Sequence, residues 1–340
     1  MERLIGKTLE ELRQVALSVG LPAFAGKQLA EWIYQKRVCS FDQMTNISLK
    51  GRQRLAQQYC IGRTQPKAVA ASQDGTKKYL FEITDNCVET VYIPDEDRAT
   101  LCISTQAGCK MGCKFCMTGT LGFHGQLSAA DILNQIFSIP ESTSLTNLVY
   151  MGEGEPLDNI DAVLRSIQIM TLPWGCAWSP HRITVSTVGF LPTVAQFVKE
   201  CECHLALSLH NPFAEERQTM MPIEKAYPAK EVIELLKNYD WSAQRRLSFE
   251  YICFGGQNDD IRHAKELCRL LSNLPCRVNL IRYHKTETSA YPASDEKQML
   301  WFRDYLTQHG ITCTIRRSRG EDILAACGML VNALENGIIE

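Results

Sequence analysis

The sequence has no run of eighteen apolar residues, which excludes an ordinary membrane-spanning helix. Its first residues, MERLIGKTLEELRQ, have neither the apolar core nor the small-residue cleavage site of a secretory signal. Low-complexity stretches and short-period repeats are missing as well. A cytoplasmic setting is therefore expected. Cysteine is the opposite case: 15 among 340 residues, a high and odd count. In a reducing compartment such cysteines bind metal or do chemistry rather than form disulfides.

Apolar content of 45% and charged content of 22% are those of an ordinary globular protein. The length suits one large α/β domain plus a smaller one. Net charge is only −2, yet residues 1–80 carry 13 Lys and Arg against 6 Asp and Glu. Such asymmetry fits either a nucleic-acid-binding arm or an unevenly charged solvated surface.

Helical spacing recurs in TLEELRQVALSVG, KQLAEWIYQKRV and SLKGRQRLAQQYC, which predict a small helical domain. KKYLFEIT and CVETVYIP alternate as strands around DN, a hairpin signal. Beyond residue 100, seven strand-like runs, from TLCIST to CTIRRS, alternate with helical stretches. That rhythm predicts parallel strands with covering helices, as a (βα) barrel or an open parallel sheet, and a partial (βα)6 barrel is the expectation carried forward. The expected organisation is a small helical domain over 1–70, a hairpin extension over 71–98 and the partial barrel over 99–340. Polar residues gather at strand ends, in GEGEP, STVG, SLHNP and NLIRYHK, where enzymes of this architecture place their sites.

The stretch GCKMGCKFCM places Cys109, Cys113 and Cys116 within eight positions and has no fourth ligand nearby. A structural zinc site wants four protein ligands, and no second pair follows at finger or knuckle spacing. A [4Fe–4S] cluster held by three thiolates keeps one iron open. Inert thiols would sit badly in a loop rich in glycine and lysine. On spacing alone the cluster leads, with zinc and inert thiols still open.

CKMGCKFC resembles the CxxxCxxC loop of the radical S-adenosylmethionine (SAM) superfamily. More narrowly, VETVYIP, LCISTQAGCKMGCKFCMTG, YMGEGEPLDN, ITVSTVG, LSLHNPFAEER, VNLIRY and TIRRSRGEDILAACG resemble, in order, the RlmN/Cfr family of radical SAM RNA adenine C-methyltransferases. The resemblance covers nearly the whole chain. It implies a [4Fe–4S] cluster on Cys109, Cys113 and Cys116, and SAM near Gly154, Glu155, Ser186, Ser208, Leu209, His210 and Asn279. It implies two SAM molecules per turnover, one methylating Cys327 and one cleaved to a radical. Adenine C2 or C8, in rRNA or tRNA, would then be methylated through Cys327. Glu89 would take the ring proton, and Cys102 would release the product by forming a disulfide with Cys327. An electron donor such as a flavodoxin or ferredoxin and a monomeric chain are further expectations. RNA contacts would come from Arg245, Arg246, Arg316, Arg317 and Arg319, and from Lys27, Lys36, Arg37, Arg52 and Arg54.

Taken singly, these residues have blander readings: a packed cysteine, a solvent-facing glutamate, a strand-ending hydrogen bonder. Four positions depart from the family pattern: Glu153 stands where methionine is usual, and Arg282, Leu324 and Met329 also differ. Two other classes stay open, a radical SAM enzyme with a non-RNA substrate and a metal-containing RNA-binding module without catalysis.

Overall fold

The computed structural model describes residues 1–84, 86–241, 244–285, 291–326 and 328–330. Three amino-terminal helices, Leu9–Ser18, Ala25–Ala30 and Leu49–Gln58, form where apolar spacing predicts them. Thr8 caps the first through a reciprocal pair of bonds with Glu11. The second runs on into a π-turn, Glu31–Gln35. β1 (Glu2–Arg3) and β2 (Tyr59–Cys60) pair in parallel and close the unit.

This unit shares its apolar core with the rest of the chain: Leu12, Leu29, Ile33 and Leu55 belong to one cluster with Ile132, Phe137 and Ile169. Tyr34 makes the seam. Fully buried, its ring lies 6.3 Å from that of Phe137 and meets Trp174 edge-on at 6.0 Å. Its hydroxyl donates to Lys7 O at 2.5 Å.

The strands that follow are β3 (Ala68–Ala71), β4 (Lys77–Ile83), β5 (Asn86–Asp95), β6 (Arg98–Cys102), β7 (Gln106–Gly108), β8 (Phe123–Gln126) and β9 (Asn147–Tyr150). After them come β10 (Ile183–Thr187), β11 (His204–Ser208), β12 (Leu247–Cys253), β13 (Arg277–Arg282) and β14 (Thr312–Ile315). Ten of them form one sheet in the order β14-β13-β12-β11-β10-β9-β6-β5-β4-β3. From β6 through β14 every neighbouring pair is parallel. This is the expected partial barrel, and its parallel part has seven strands. Covering helices such as Ala129–Phe137, Ile160–Thr171 and Ala229–Leu236 bury their apolar faces against it.

The expected hairpin is β4 with β5; Asp85, of the expected DN turn, lies outside the described residues. Because β5 also pairs antiparallel with β6, the hairpin continues the barrel sheet rather than standing apart from it. β3 is a strand that pattern does not announce, since alanine has little β preference. It crosses the expected boundary at residue 70.

Tyr34→Ala should open a cavity along the seam and lower stability by about 3–5 kcal/mol. Urea unfolding checks this, as a fall in midpoint at unchanged slope.

Candidate active site

β6 ends at Cys102, and the chain runs through Ile103–Thr105 and β7 into the three-cysteine loop. Gly108 turns there at φ +68°, where an added Cβ would lie 1.9 Å from Gly122 O. Cys109 N–H donates to that same carbonyl at 2.8 Å, clamping the base of the loop. The thiols face Met111, Phe115, Met220, Met221, Ile252 and Phe254. Burial pushes the Cys109 thiol up to about 12 and raises Cys113 and Cys116 as well. Three thiols so hard to ionise need a cationic partner before they can act as ligands. Met111 N–H donates to Cys109 Sγ at 3.5 Å. Among the described residues no three His, Cys, Asp or Glu side chains converge on a single ion. A cluster asks for less convergence, because each thiolate holds its own iron. The loop fits an iron–sulfur cluster.

Beside Cys116 lies a cavity of about 150 Å³ at the carboxyl ends of the strands, and Gly154, Glu155, Ser186, Ser208 and His210 all line it. Gly154 has φ +95°, and a Cβ there would sit 2.5 Å from the Gln106 side chain. The Glu155 carboxyl accepts from Leu157 N–H at 3.0 Å and from Val188 N–H at 2.8 Å. Burial raises it to about 7. Burial, aided by the Arg217 charge, lowers His210 to about 3, so its ring is neutral at pH 7. His210 Nδ1 accepts from Ile252 N–H at 3.1 Å, which leaves the proton on Nε2. The Ser186 and Ser208 hydroxyls stand 3.3 Å apart.

Two expected residues are absent from this lining. Leu209 turns its side chain into the core. Asn279 donates to Glu250 Oε1 at 2.8 Å, and it is Glu250 that faces the cavity. Sequence reasoning missed Glu250, although a charge inside the apolar run LSFEYIC is a signal. It also missed Arg217, a buried cation that donates to the carbonyls of Val188, Ser208 and Leu209 and pairs with Glu224. One arginine in the polar stretch AEERQ carries no signal of its own.

A second cavity, about 380 Å³, adjoins the first and shares Cys116, Met151, Arg316 and Gly328 with it. Cys102, Val91 and Ile93 form one wall, and Ala326 and Gly328 another. Cys327 itself lies outside the described residues. Its neighbours Ile323, Ala325 and Leu330 pack on Ala70 and Val91, beside Cys102. Glu89 lies two residues before Val91 and hence on the same face of β5. It is fully buried, 2.9 Å from Lys78 Nζ, and its N–H donates to Glu153 Oε1 at 2.8 Å. The solvent-facing alternative for Glu89 is thereby ruled out. Glu153 Oε2 also accepts from Gly108 N–H at 3.3 Å, so this departure from the usual methionine joins the Glu89 strand to the cluster loop.

The expected basic residues separate. Arg316, Arg317 and Arg319 line the larger cavity. Arg245 and Arg246 do not: they precede β12 and so lie at the amino ends of the strands, in a cleft of about 1040 Å³ with Arg277 and His309. In the helical unit, Arg37, Arg52 and Arg54 donate to the carbonyls of Ser142, Asp42 and Val19, and Lys36 pairs with Glu31. Part of the basic surplus builds the unit itself. Lys27 is exposed.

Three parallel comparisons agree with this geometry. Residues 103–268 match the Radical SAM superfamily, and residues 3–61 match the ribosomal RNA large subunit methyltransferase N-terminal domain. The crystal structure of a radical SAM methyltransferase from Sphaerobacter thermophilus superposes with a TM-score of 0.91 at 35% identity, covering 97% of this chain and 99% of that one. Fold and site thus define a radical SAM methyltransferase. The chain is 59% identical over 328 residues to the probable dual-specificity RNA methyltransferase RlmN of Porphyromonas gingivalis, with 96% of each covered. It is 40% identical to the dual-specificity RNA methyltransferase RlmN of Geotalea uraniireducens, with 97% of each covered. It belongs to the RlmN family. Among the described residues no helix is long and apolar enough to cross a membrane.

Burial, with the neighbouring Glu89 charge, raises Glu153 to about 8. An unfolded chain releases that proton near pH 4.5. Native Glu153 therefore binds the extra proton between those values, and stability falls as pH rises through the window, by on the order of 4 kcal/mol. In Glu153→Gln that pH dependence should flatten, as read from denaturant midpoints of the cluster-free chain between pH 5 and 8 (approximate limits set by the same linkage).

Proposed function

We propose that this chain methylates an adenine ring carbon, C2 or C8, in ribosomal or transfer RNA, with Cys327 carrying the methyl group. The observation that supports it most is the shared cavity: Cys102 faces Ala326 and Gly328, the two neighbours of Cys327, next to the cluster loop. Cys109, Cys113 and Cys116 would hold a [4Fe–4S] cluster, and Gly154, Glu155, Ser186, Ser208 and His210 would contact SAM. Asn279 would act through Glu250, and Leu209 through its main chain. When bound, the cluster and two SAM molecules in turn supply a methyl group and a 5′-deoxyadenosyl radical.

The chain's own residues then divide the work. The Cys327 sulfur accepts the methyl group, which would give one hydrogen atom to the 5′-deoxyadenosyl radical and bond through its carbon to the adenine, tying RNA to protein. Glu89 takes the ring proton, and the one electron left over would return to the cluster. Cys102 attacks the Cys327 sulfur, and the sulfur–carbon bond breaks with its electron pair left on carbon, which picks up a proton. The products are methyladenine and a Cys102–Cys327 disulfide. Arg316, Arg317 and Arg319 meet the backbone of an RNA whose target base is turned into the larger cavity. The protein acts as a monomer in the cytoplasm, with a flavodoxin or ferredoxin as electron source.

Mass spectrometry of ribosomal and transfer RNA from a strain lacking the gene should show the loss of 2- or 8-methyladenosine; unchanged RNA would sink the assignment. Alanine at Cys109, Cys113 or Cys116 should abolish most iron uptake on anaerobic reconstitution. Cys102→Ala should copurify with RNA that survives denaturant and is removed by ribonuclease, while Cys327→Ala should carry none.

A further inference from the structure

Lys78 has no place in the chemistry so far, yet its ammonium group is fully buried behind the larger cavity. Nζ stands 2.9 Å from Glu89 Oε1 and donates to Leu324 O at 3.2 Å, in the stretch that continues to Cys327. We propose that Lys78 is a positioning residue of the methyl transfer: it supplies the charge against which the Glu89 carboxylate works and fastens that carboxylate to the Cys327 loop. This rests on the reading of Glu89 as proton acceptor.

Three observations support the assignment independently. First, the ladder puts Lys78 directly opposite Val91, and Val91 directly opposite Cys102. Residues directly opposite share a face, as do alternate residues of one strand. Lys78, Glu89 and Cys102 therefore occupy one face of the sheet, under the loop with Ile323 and Ala325. Second, Leu324 has φ +52°, a conformation that non-glycine residues avoid. The loop needs an anchor there, and the carbonyl of that same residue is the one Lys78 holds. Third, stability is a weak reason for such a pair, because apolar residues of similar volume often serve as well as a buried ion pair or better. Among the described residues, ionisable groups facing Glu89 include Lys78 from β4 and Glu153 from the loop after β9. Glu153 holds the Glu89 main chain, and Lys78 is the cation paired with its carboxylate.

The test follows adduct formation and release separately, over a pH series, with reconstituted enzyme, SAM and in vitro transcripts of 23S rRNA and tRNA. Taking a cation away from a carboxylate makes the anion harder to form. In Lys78→Gln the adduct should still form, but its release at pH 7 should slow by about tenfold, a part of what a positioned general base contributes. Its half-maximal release should move to higher pH, and Lys78→Arg should restore most of the rate with the limb back in place. Amide exchange over residues 320–326 of Lys78→Gln should also quicken. A folded Lys78→Gln with wild-type release and an unmoved limb overturns the proposal. Should Lys78→Gln not fold, Lys78→Arg decides alone: its charge is kept, so a displaced limb overturns the proposal and an unmoved one upholds it. A Cys102→Ala control that traps no adduct overturns the methylation reading, and this role with it.

Discussion

The geometry of the site depends on one strand with two kinds of neighbour. β6 pairs antiparallel with β5 on one edge and parallel with β9 on the other. The parallel edge delivers the loops after β9, β10 and β11 to the carboxyl end, as in any sheet of βα units. The antiparallel edge brings β4 and β5 alongside in the opposite sense, so Lys78 and Glu89 arrive at that same end from strands outside the barrel proper. Cys102, the last residue of β6, sits where the two edges meet, and the chain leaves it directly for the cluster loop.

That end of the sheet is crowded with buried ionisable groups. Lys78, Glu89, Glu153, Glu155, Arg217, Glu224 and Glu250 are all at most 4% exposed. Each must be satisfied within the protein, since an isolated charge in such a place is far too costly. The means differ. Glu153 and Glu155 use main-chain N–H groups, Arg217 uses main-chain carbonyls and Glu224, and Lys78 spans an acid and a carbonyl. Several of these contacts tie a loop at that end to a strand or to another loop, so that burial, polarity and loop geometry constrain one another. Such concentrations of buried ionisable groups mark functional ends of proteins more often than structural ones.

The apolar pattern made most of the architecture legible. The seven runs beyond residue 100 are the seven parallel strands, because strands covered on both faces must be apolar and their covering helices amphipathic. The cysteine loop was legible too, since its chemistry is carried by spacing within one short segment. β3 was not, because Ala68–Ala71 is ordered by its neighbour β4 rather than by its own preference. Arg245 and Arg246 show the opposite difficulty. Their charge is plain in the sequence, but only their position just before β12 reveals that they face the wrong pole for the site.

By itself the sequence determined the βα rhythm, the three-thiol loop and the polar strand ends, all of them local features whose meaning survives without knowing any partner. Tertiary structure alone decided which partner each buried ionisable group meets. That Glu89 faces Lys78 rather than water follows from the β4–β5 register, and that Asn279 reaches the smaller cavity through Glu250 follows from the β12–β13 register. Register is set by how whole strands bury their apolar faces, and a shift of one residue would turn every such side chain to the other side of the sheet.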